Sequence, residues 1–511
     1  MPKSYVKRIL DARVYDVAIE SPVDEAKLIS QRLSNRVLLK REDLQPVFSF
    51  KCRGAYNKVA RLSAEQARRG VIAVSAGNHA QGVALASEQL GIKATIVMPR
   101  TTPDIKVDAV RARGAKVILH GDAFDEASTR GRELAAAKGM TWVHPYDDVD
   151  VIAGQGTVGM EILRQVRGAL DAVYVPVGGG GLLAGIAAYI KYVRPEVRVY
   201  GVEPEDSACL RAALENNRRV VLPQVGLFAD GVAVAQIGKE PYRIIRETCD
   251  GVITVTTDEI CAAIKDIFED TRSIAEPAGA LALAGLKKHV AENELKDQTL
   301  VAIESGANTN FDRLRYISER TEIGEKREAV LSVTIPEKPG SFRRFCNVIG
   351  RHRRITEFNY RYADDRQAQI YVGVQVTPGN DDRRKLVATL VNKGYGVDDL
   401  TDNEMAKLHI RHMVGGHAPK TVVEEVVYRF EFPERPGALS NFLTQMGNRW
   451  NISMFHYRNH GSAFARVLVG FQISARDRSK VSAFFKALSK EHQVYDYWDE
   501  TENIAYRDFL R

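Results

Sequence analysis

Short apolar runs recur through the first 320 residues and alternate with longer segments in which apolar residues follow a helical spacing. Apolar runs of four to six residues bounded by turn residues are typical of buried strands. The predicted strands include 94–98, 115–119, 172–177, 197–202 and 300–303. Because strands that alternate with helices favour a mostly parallel sheet covered by helices, the pattern predicts an α/β domain.

The pattern changes after residue 321. Residues 322–328 are mostly charged and predict a linker. Beyond them the sequence repeats itself at an offset of 97 positions, so that 336–340 (PEKPG) matches 433–437 (PERPG) and Tyr360 matches Tyr457. Self-similarity at a fixed offset indicates repeated structural units.

Each repeat predicts the element order β-α-β-β-α-β, which is the ferredoxin-like α+β arrangement. In the first repeat the predicted elements are 329–335, 341–350, 355–362, 368–376, 382–393 and 395–400. The predicted division of the chain is a domain at 1–321, a linker at 322–328 and two small domains at 329–408 and 424–503.

Lys51 is the first candidate for chemistry, because it follows a strand-like run at 37–41 and lies among small residues beside an aromatic side chain. A lysine held in a pocket loses hydration, which lowers the pKa of its amine and frees it as a nucleophile. Lys51 is therefore a candidate Schiff-base lysine. Taken alone, a lysine is more often a solvated surface residue.

A second segment predicts a turn that presents free backbone N–H groups at the start of a helix. It follows the apolar run 71–74 and consists of Ser75, Ala76, Gly77, Asn78 and His79. Such N–H groups and the helix dipole suit a carboxylate. The alternative is an ordinary capping turn, since Ser and Asn are common capping residues.

Four glycines precede a helical run that starts at Leu182: Gly178, Gly179, Gly180 and Gly181. Successive glycines let the backbone close around a phosphate and present several N–H donors. The segment also satisfies G-x-G-x-x-A, and Glu203 lies near the spacing of a ribose-binding acid. A dinucleotide site therefore stays open on this segment alone.

Ser305 follows the predicted strand 300–303 within the sequence Glu304-Ser305-Gly306-Ala307-Asn308. A hydroxyl at the carboxyl end of a strand is well placed to bond a ring nitrogen of a cofactor at the sheet edge. The alternative is a plain turn serine.

Together these segments resemble the serine/threonine dehydratase family of fold-type II enzymes, which use pyridoxal 5'-phosphate (PLP). The resemblance covers residues 1 to about 320 and rests on S-F-K-x-R-G-A, S-A-G-N-H-A-Q-G, G-G-G-G-L and S-G-A-N in that order. It implies a tryptophan synthase β-like α/β fold for the catalytic domain.

The resemblance also implies a role for each segment. Lys51 becomes the internal aldimine lysine, Asn78 the partner of the phenolic oxygen of PLP, and Ser305 the partner of its pyridine nitrogen. The other implied roles are a phosphate cradle at 178–182, a substrate-carboxylate loop at 75–79 and an acid near the ring at Glu276. The implied reaction is loss of the Cα proton and the β-hydroxyl, followed by hydrolysis to a 2-oxo acid and ammonia.

The repeated segment resembles the tandem ACT-like regulatory domains of biosynthetic threonine dehydratases. That resemblance implies conversion of L-threonine, and more weakly L-serine, to 2-oxobutanoate and ammonia at the entry to isoleucine synthesis. It further implies inhibition by isoleucine, counteraction by valine and a homotetramer. Tyr360 and Tyr457 are the predicted effector-site residues. A dimerisation module without a ligand is the alternative, because a fold does not fix a function.

Composition excludes several other classes. No apolar stretch approaches the roughly 20 residues that span a bilayer, and the N-terminus lacks the apolar core of a signal peptide. Five scattered cysteines among 511 residues favour reduced thiols, as in the cytosol. The net charge of +7 is spread among both signs without a nucleic-acid motif. We therefore expect a cytoplasmic enzyme without membrane or nucleic-acid partners.

One position departs from part of the family. Relatives with a divalent-cation site carry an acid six residues after the glutamate that corresponds to Glu203, and this chain has Cys209 there. No required metal is therefore expected.

Three other functions remain alternatives. A PLP racemase or a cystathionine-forming enzyme would share the catalytic segments but usually lacks the double repeat. A nicotinamide dehydrogenase would account only for the glycines at 178–181, and a non-enzymatic amino-acid sensor only for the repeats.

Overall fold

The computed structural model describes residues 2–336, 341–349, 353, 355–360, 367–377, 380–412, 424–433, 450–458, 464–474, 476–492 and 496–510. The chain divides into two compact units, Met1–Ile317 and Ser318–Arg511. Within the described ranges, no helix combines the length and the apolar character needed to cross a membrane.

The first unit contains two sheets. Its strands are β1 (Val23–Glu25), β2 (Arg36–Arg41), β3 (Val71–Val74), β4 (Ala94–Met98), β5 (Lys116–Leu119), β6 (Thr141–Trp142), β7 (Ala172–Pro176), β8 (Arg198–Pro204), β9 (Gly251–Val255) and β10 (Thr299–Glu304). One sheet has the order β1-β2-β10-β7-β8-β9 and the other β5-β4-β3-β6. Every pairing is parallel except that of β1 with β2.

Helices connect these strands and cover the sheets. They are α1 (Pro2–Leu10), α2 (Lys27–Leu33), α3 (Lys51–Val59), α4 (Ala64–Arg69), α5 (Asn78–Leu90), α6 (Asp104–Arg111), α7 (Phe124–Lys138), α8 (Val149–Gln165), α9 (Gly181–Val193), α10 (Cys209–Glu215), α11 (Lys239–Thr248), α12 (Thr257–Thr271), α13 (Pro277–Asn293) and α14 (Arg313–Gly324). Every residue of β7 and β10 is buried, as expected for central parallel strands with helices on both faces.

The second unit holds the two repeats. Its elements are β11 (Glu328–Pro336), α15 (Ser341–Ile349), β12 (Ile355–Tyr360), β13 (Gln367–Gln375), α16 (Asn380–Asn392), β14 (Gly396–Asp399), α17 (Glu404–Leu408), β15 (Glu425–Pro433), β16 (Asn451–Arg458), β17 (Phe464–Gln472), α18 (Arg478–His492), β18 (Asp496–Asp499) and α19 (Ile504–Phe509). They form two antiparallel four-stranded sheets of matching order, β12-β13-β11-β14 and β16-β17-β15-β18.

The strand register reproduces the sequence repeat. Glu328 pairs with Gln375 in the first sheet, and Glu425 pairs with Gln472, 97 positions on, in the second. All six elements predicted for the first repeat are present within two residues of their predicted starts and ends. Most of the matching segments 336–340 and 433–437, namely residues 337–340 and 434–437, lies outside the described residues.

The two repeats differ around these equivalent glutamates. Glu328 accepts hydrogen bonds from both Thr356 and Arg411, the latter at 2.8 Å to each carboxylate oxygen. Glu425 accepts one from Ser453 and one from the hydroxyl of Tyr506 at 2.6 Å. The same backbone position is thus paired with a guanidinium in one repeat and with a phenol in the other.

The segment between the domains differs in length from the prediction. Helix α14 continues to Gly324 and β11 begins at Glu328, so three of the seven residues predicted as linker are helical. The charged residues here are good helix formers, and Ile323 is buried. Residues 322–324 thus belong to the helix, whereas the charged residues at 325–327 connect α14 to β11.

Candidate active site

Lys51 is the first residue of α3 and lies in the first unit. Its Nζ donates to the carbonyl oxygen of Pro145 at 3.2 Å and lies 5.2 Å from the centre of the Phe50 ring. Burial lowers the pKa of Lys51 to about 8, although the charge of Glu276 opposes the shift. The amine is therefore closer to its nucleophilic form than a solvated lysine would be.

The helix that carries Lys51 is anchored by buried charges. The guanidinium of Arg53, two residues further on, contacts the carboxylates of Glu42 at 2.8 Å and Glu161 at 2.6 Å. Lys40 lies 2.6 Å from the second oxygen of Glu161, and all four side chains are fully buried. Two cations and two carboxylates balance one another, which makes their burial tolerable.

Close contacts at glycine also fix α3. A Cβ on Gly82 of α5 would lie 3.1 Å from the backbone of Lys51, and a Cβ on Gly154 of α8 would lie 2.7 Å from Arg53 and Gly54. The missing side chains let three helices approach closely around the lysine.

The sequence predicts a turn at 75–79, but the last two residues of this segment, Asn78 and His79, begin the 13-residue helix α5. The hydroxyl of Ser75 accepts the N–H of Gly77 at 3.2 Å, and Gly77 occupies the capping position. Among the described residues no side chain caps this helix, and a Cβ on Gly77 would meet no atom within 4 Å. The turn therefore has both open space and the N–H donors of a helix start, as an anion site needs.

His79 follows in the first turn of α5 and is buried. Its Nε2 lies 2.9 Å from the carbonyl oxygen of Val143, so Nε2 carries the hydrogen. Burial lowers the pKa of His79 to about 3, and the nearby Lys51 charge adds to the shift. His79 is therefore neutral near pH 7.

The glycines at 178–181 form a tightly enclosed turn before α9. A Cβ on Gly178 would lie 2.9 Å from Val232, and one on Gly179 would lie 2.1 Å from the ring of Tyr146. Gly180 has φ +88°, which favours glycine, and caps α9 without a side-chain bond within the described part of the chain. Leu182, in the first turn of α9, is buried. The helix start thus keeps its N–H donors for an anion.

Ser305 lies directly after β10 and is buried. Its carbonyl oxygen accepts the N–H of Phe50 at 3.3 Å, and its hydroxyl donates to the carbonyl oxygen of Ala278 at 3.2 Å. The residue before Lys51 is therefore bonded directly to the predicted pyridine partner. The fold therefore brings Ser305 next to the segment that carries Lys51, although the two are far apart in the sequence.

Asn78 and Glu276 also lie together. The Nδ2 of Asn78 donates to Oε1 of Glu276 at 2.6 Å. Burial raises the pKa of Glu276 to about 7, and the charge of Asp230 adds to this. Glu276 can therefore hold or release a proton near neutral pH.

Asp230 belongs to the same region, although no sequence pattern singles it out. Lys106 of α6 donates to its Oδ2 at 2.9 Å, and Arg313, the first residue of α14, lies 3.4 Å from its Oδ1. Although burial opposes ionisation, the charges of Lys106 and Arg313 hold the pKa of Asp230 well below its usual range. No sequence motif indicates this cluster, because Lys106, Asp230 and Arg313 are far apart in the sequence and meet only in the folded protein.

Glu203 does not lie as a ribose-binding acid would. Its two carboxylate oxygens accept the backbone N–H groups of Leu210 at 2.7 Å and Arg211 at 2.9 Å, so it caps α10. Burial raises the pKa of Glu203 to about 7. Cys52 is likewise structural, because burial raises the pKa of its thiol to about 12.

The effector-site prediction falls in the second unit. Tyr360 ends β12 opposite Ile370, and Tyr457 lies in β16 opposite Val467, again 97 positions on. Their side chains lie outside the described part of the structure, so these two residues stay predictions.

An α/β unit with a desolvated lysine, two helix starts that no side chain caps within the described residues, and a buried serine at the carboxyl end of a strand has the features of a PLP-dependent enzyme. Residues 15–306 match the family model described as pyridoxal-phosphate dependent enzyme. Residues 319–410 and 418–510 match that described as C-terminal regulatory domain of threonine dehydratase.

Proteins of similar sequence and structure show to which family of PLP-dependent enzymes the chain is related. The chain is 53% identical over 509 residues to the biosynthetic L-threonine dehydratase of Burkholderia multivorans, covering 99% of both chains. It is 53% identical over 506 residues to that of Escherichia coli, covering 99% of this chain and 97% of the relative. A solved structure of processed threonine deaminase isoform 2 from Solanum lycopersicum matches with TM-score 0.62 and 48% identity over 62% of this chain and 93% of that one.

The chain belongs to the biosynthetic threonine dehydratase family. Membership of this family confirms the predicted fold class, the PLP cofactor and the threonine ammonia-lyase activity. The described residues also fit the cofactor. PLP needs an amine for its aldehyde and N–H donors for its phosphate, which Lys51 and the start of α9 supply.

Proposed function

We propose that Lys51, Asn78, Ser305 and the loops at 75–79 and 178–182 form the PLP site in which L-threonine, and more weakly L-serine, is dehydrated and deaminated. The observation that carries this assignment is the hydrogen bond from Phe50 N–H to the carbonyl oxygen of Ser305 at 3.3 Å. This bond joins the segment that carries Lys51 directly to Ser305, the proposed partner of the pyridine nitrogen.

The substrate carboxylate binds at the start of α5. The N–H groups of this helix start, with the open space at Gly77, attract and orient the anion. The corresponding donors of α9, beside Gly180, would hold the phosphate of the cofactor. Two separate helix starts thus hold two separate anions.

PLP, when bound, supplies an electron sink for the negative charge that develops at Cα of the substrate. The neutral amine of Lys51 takes the Cα proton, which is easier because the pKa of this amine is lowered to about 8. The resulting ammonium can return that proton to the departing β-hydroxyl, which leaves as water. Hydrolysis of the released enamine then gives 2-oxobutanoate and ammonia.

Two neighbouring groups keep the charge balance of the site. His79 is neutral, because burial lowers its pKa to about 3, so it adds no positive charge beside Lys51. Ser305 cannot hold a pyridine nitrogen protonated as a carboxylate would, which favours prompt elimination over longer-lived carbanion chemistry.

The second unit is proposed to bind isoleucine as inhibitor and valine as its antagonist. Its two repeats, assigned to 329–408 and 424–503 after a catalytic domain at 1–321 and a linker at 322–328, would contribute Tyr360 and Tyr457 to these sites. Each effector must bind two states of the enzyme unequally, by about 1 to 3 kcal/mol for typical coupling. A cytoplasmic homotetramer completes the proposal.

The test is formation of 2-oxo acid from L-threonine and L-serine, with and without isoleucine, by wild type, Lys51→Ala and Lys58→Ala. Lys58 lies on the same helix but pairs with Asp148 at 2.7 Å, so its loss should leave turnover nearly intact. We expect Lys51→Ala to lose turnover and the visible absorption of the bound cofactor together. Turnover that persists in Lys51→Ala would overturn the assignment, and turnover indifferent to isoleucine would overturn the regulatory part.

A further inference from the structure

Asn308 lies three residues after Ser305, and its amide makes two directed contacts. Its Nδ2 donates to the carbonyl oxygen of Val47 at 2.7 Å and to Oδ1 of Asn78 at 2.7 Å. An amide nitrogen has two hydrogens, so both are used. The side chain can therefore present only a donor to Asn78.

This contact decides how the amide of Asn78 is turned. The oxygen and nitrogen of an asparagine amide have nearly the same shape, and their hydrogen-bond partners decide which way they face. With Oδ1 facing the donor of Asn308, Nδ2 faces Oε1 of Glu276 at 2.6 Å. Asn308 thus donates to Asn78, and Asn78 in turn donates to Glu276.

The backbone around Asn308 is fixed to the turn before Lys51. Ala307 N–H donates to the carbonyl oxygen of Phe48 at 2.9 Å, next to the Val47 carbonyl that the Asn308 side chain binds. Phe48 has φ +53°, a conformation that non-glycine residues rarely adopt. The turn therefore directs two successive carbonyl groups at one short segment.

We infer that Asn308 is a positioning residue that fixes the amide of Asn78, so that one N–H of Asn78 donates to Glu276 and its second N–H, not its oxygen, is turned to the phenolic oxygen of PLP. The inference rests on the proposed role of Asn78 as the partner of that oxygen. It extends the role to Asn308, which acts through its contact with Asn78.

The test compares holoenzyme variants by the pH midpoint of the visible absorption change and by PLP affinity. Asn308→Asp replaces the donor with an acceptor of the same shape, which draws the N–H₂ group of Asn78 away from the ring. The phenolic oxygen then loses a donor and becomes more basic. We expect the midpoint to rise by about one pH unit and the PLP dissociation constant to rise about tenfold.

Asn310→Asp is the matched control, because it makes the same change two residues further along the same loop, and we expect no shift. Asn308→Ala removes the donor without adding a charge and should shift the midpoint in the same direction by a smaller amount. Circular dichroism of each variant shows whether it is folded.

A double variant separates the two proposals. In an Asn78→Ala background, Asn308→Asp should add no further shift, because the residue through which it acts is gone. A full shift in that background, or no shift from Asn308→Asp alone, would overturn the positioning role. If Asn78→Ala itself leaves the midpoint unchanged, the proposed contact of Asn78 with the ring is what fails.

Discussion

Asn403 and Asn503 occupy equivalent positions in the two repeats and are hydrogen-bonded to each other, with Nδ2 of Asn403 3.2 Å from Oδ1 of Asn503. Each also caps a helix, since Asn403 accepts the N–H of Ala406 at 3.0 Å and Asn503 that of Ala505 at 2.9 Å. The offset between them is 100 positions, against 97 in the earlier strands, so the second repeat has three more residues between β17 and β18 than the first has between β13 and β14. The two repeats are therefore hydrogen-bonded to each other through equivalent residues.

This shared contact predicts coupled effects on stability. Asn403→Ala and Asn503→Ala should each lower the free energy of unfolding of the second unit by about 1 kcal/mol, the usual value of a helix cap. The double variant should cost less than the two single variants together, because one hydrogen bond is counted in both. Thermal unfolding of the three variants measures this, and strict additivity would mean that the Asn403–Asn503 bond contributes nothing.

Arg53 should be among the costliest residues to remove from the first unit. Arg53→Met leaves Glu42 and Glu161 facing Lys40 alone, and an uncompensated buried charge costs about 3 to 5 kcal/mol of folding free energy. The denaturant midpoint should fall accordingly.

Two comparisons separate buried charge from lost packing at Arg53. Adding Glu161→Gln to Arg53→Met restores neutrality and should recover part of the stability. Arg69→Met removes an exposed helix pair with Glu65 and should cost less than about 0.5 kcal/mol. Equal losses from the Arg53 and Arg69 variants would contradict the charge argument.

Gly180→Ala should weaken PLP binding more than a similar change elsewhere. The new Cβ would lie 2.6 Å from Ile237 at φ +88°, so the turn at the phosphate must shift. Gly91→Ala is the control, since its φ is +65° but no atom lies within 4 Å of its Cβ. Both should cost about 1 kcal/mol of stability for the left-handed backbone. Only Gly180→Ala should raise the PLP dissociation constant, by about tenfold or more, in a titration of cofactor-free protein.

Glu276 should make the stability of the cofactor-free protein depend on pH. Its pKa is raised from 4.5 to about 7, so between these values the folded protein keeps a proton that the unfolded chain has released. Stability should therefore fall as the pH rises through this window, by about 3 kcal/mol at most. Urea unfolding of Glu276→Gln should show this loss reduced, whereas the exposed Glu215→Gln should retain it. A wild type without a pH slope here would contradict the raised pKa.

The sequence was most informative where chemistry demands particular residue types in one short segment. Lys51, the loop at 75–79 and the glycines at 178–181 could be found because each function uses neighbours along the chain. The orientation of Asn78 could not, since it depends on Asn308, 230 positions away. Likewise Asp230 is recognised only through Lys106 and Arg313, which arrive from other elements.

The helix between the units shows a second limit. Charged residues after Ile317 look the same in a solvated helix as in a linker, and the decision depends on tertiary contacts such as that of Arg320 with Glu404 at 2.6 Å. Such contacts leave no local pattern. The elements of the ferredoxin-like repeats were easier to predict from the sequence, because strands and helices differ in the spacing of their apolar residues.

The different partners of Glu328 and Glu425 bear on the history of the chain. The position that corresponds to Tyr506 is Ala406, so the first copy could never form the phenol contact of the second. After duplication, the two copies have diverged at the residues that hold their first strands in place. A chain carrying the same copy twice would therefore repeat one glutamate contact and lack the other: two first copies would hold both strands through a guanidinium, and two second copies through a phenol.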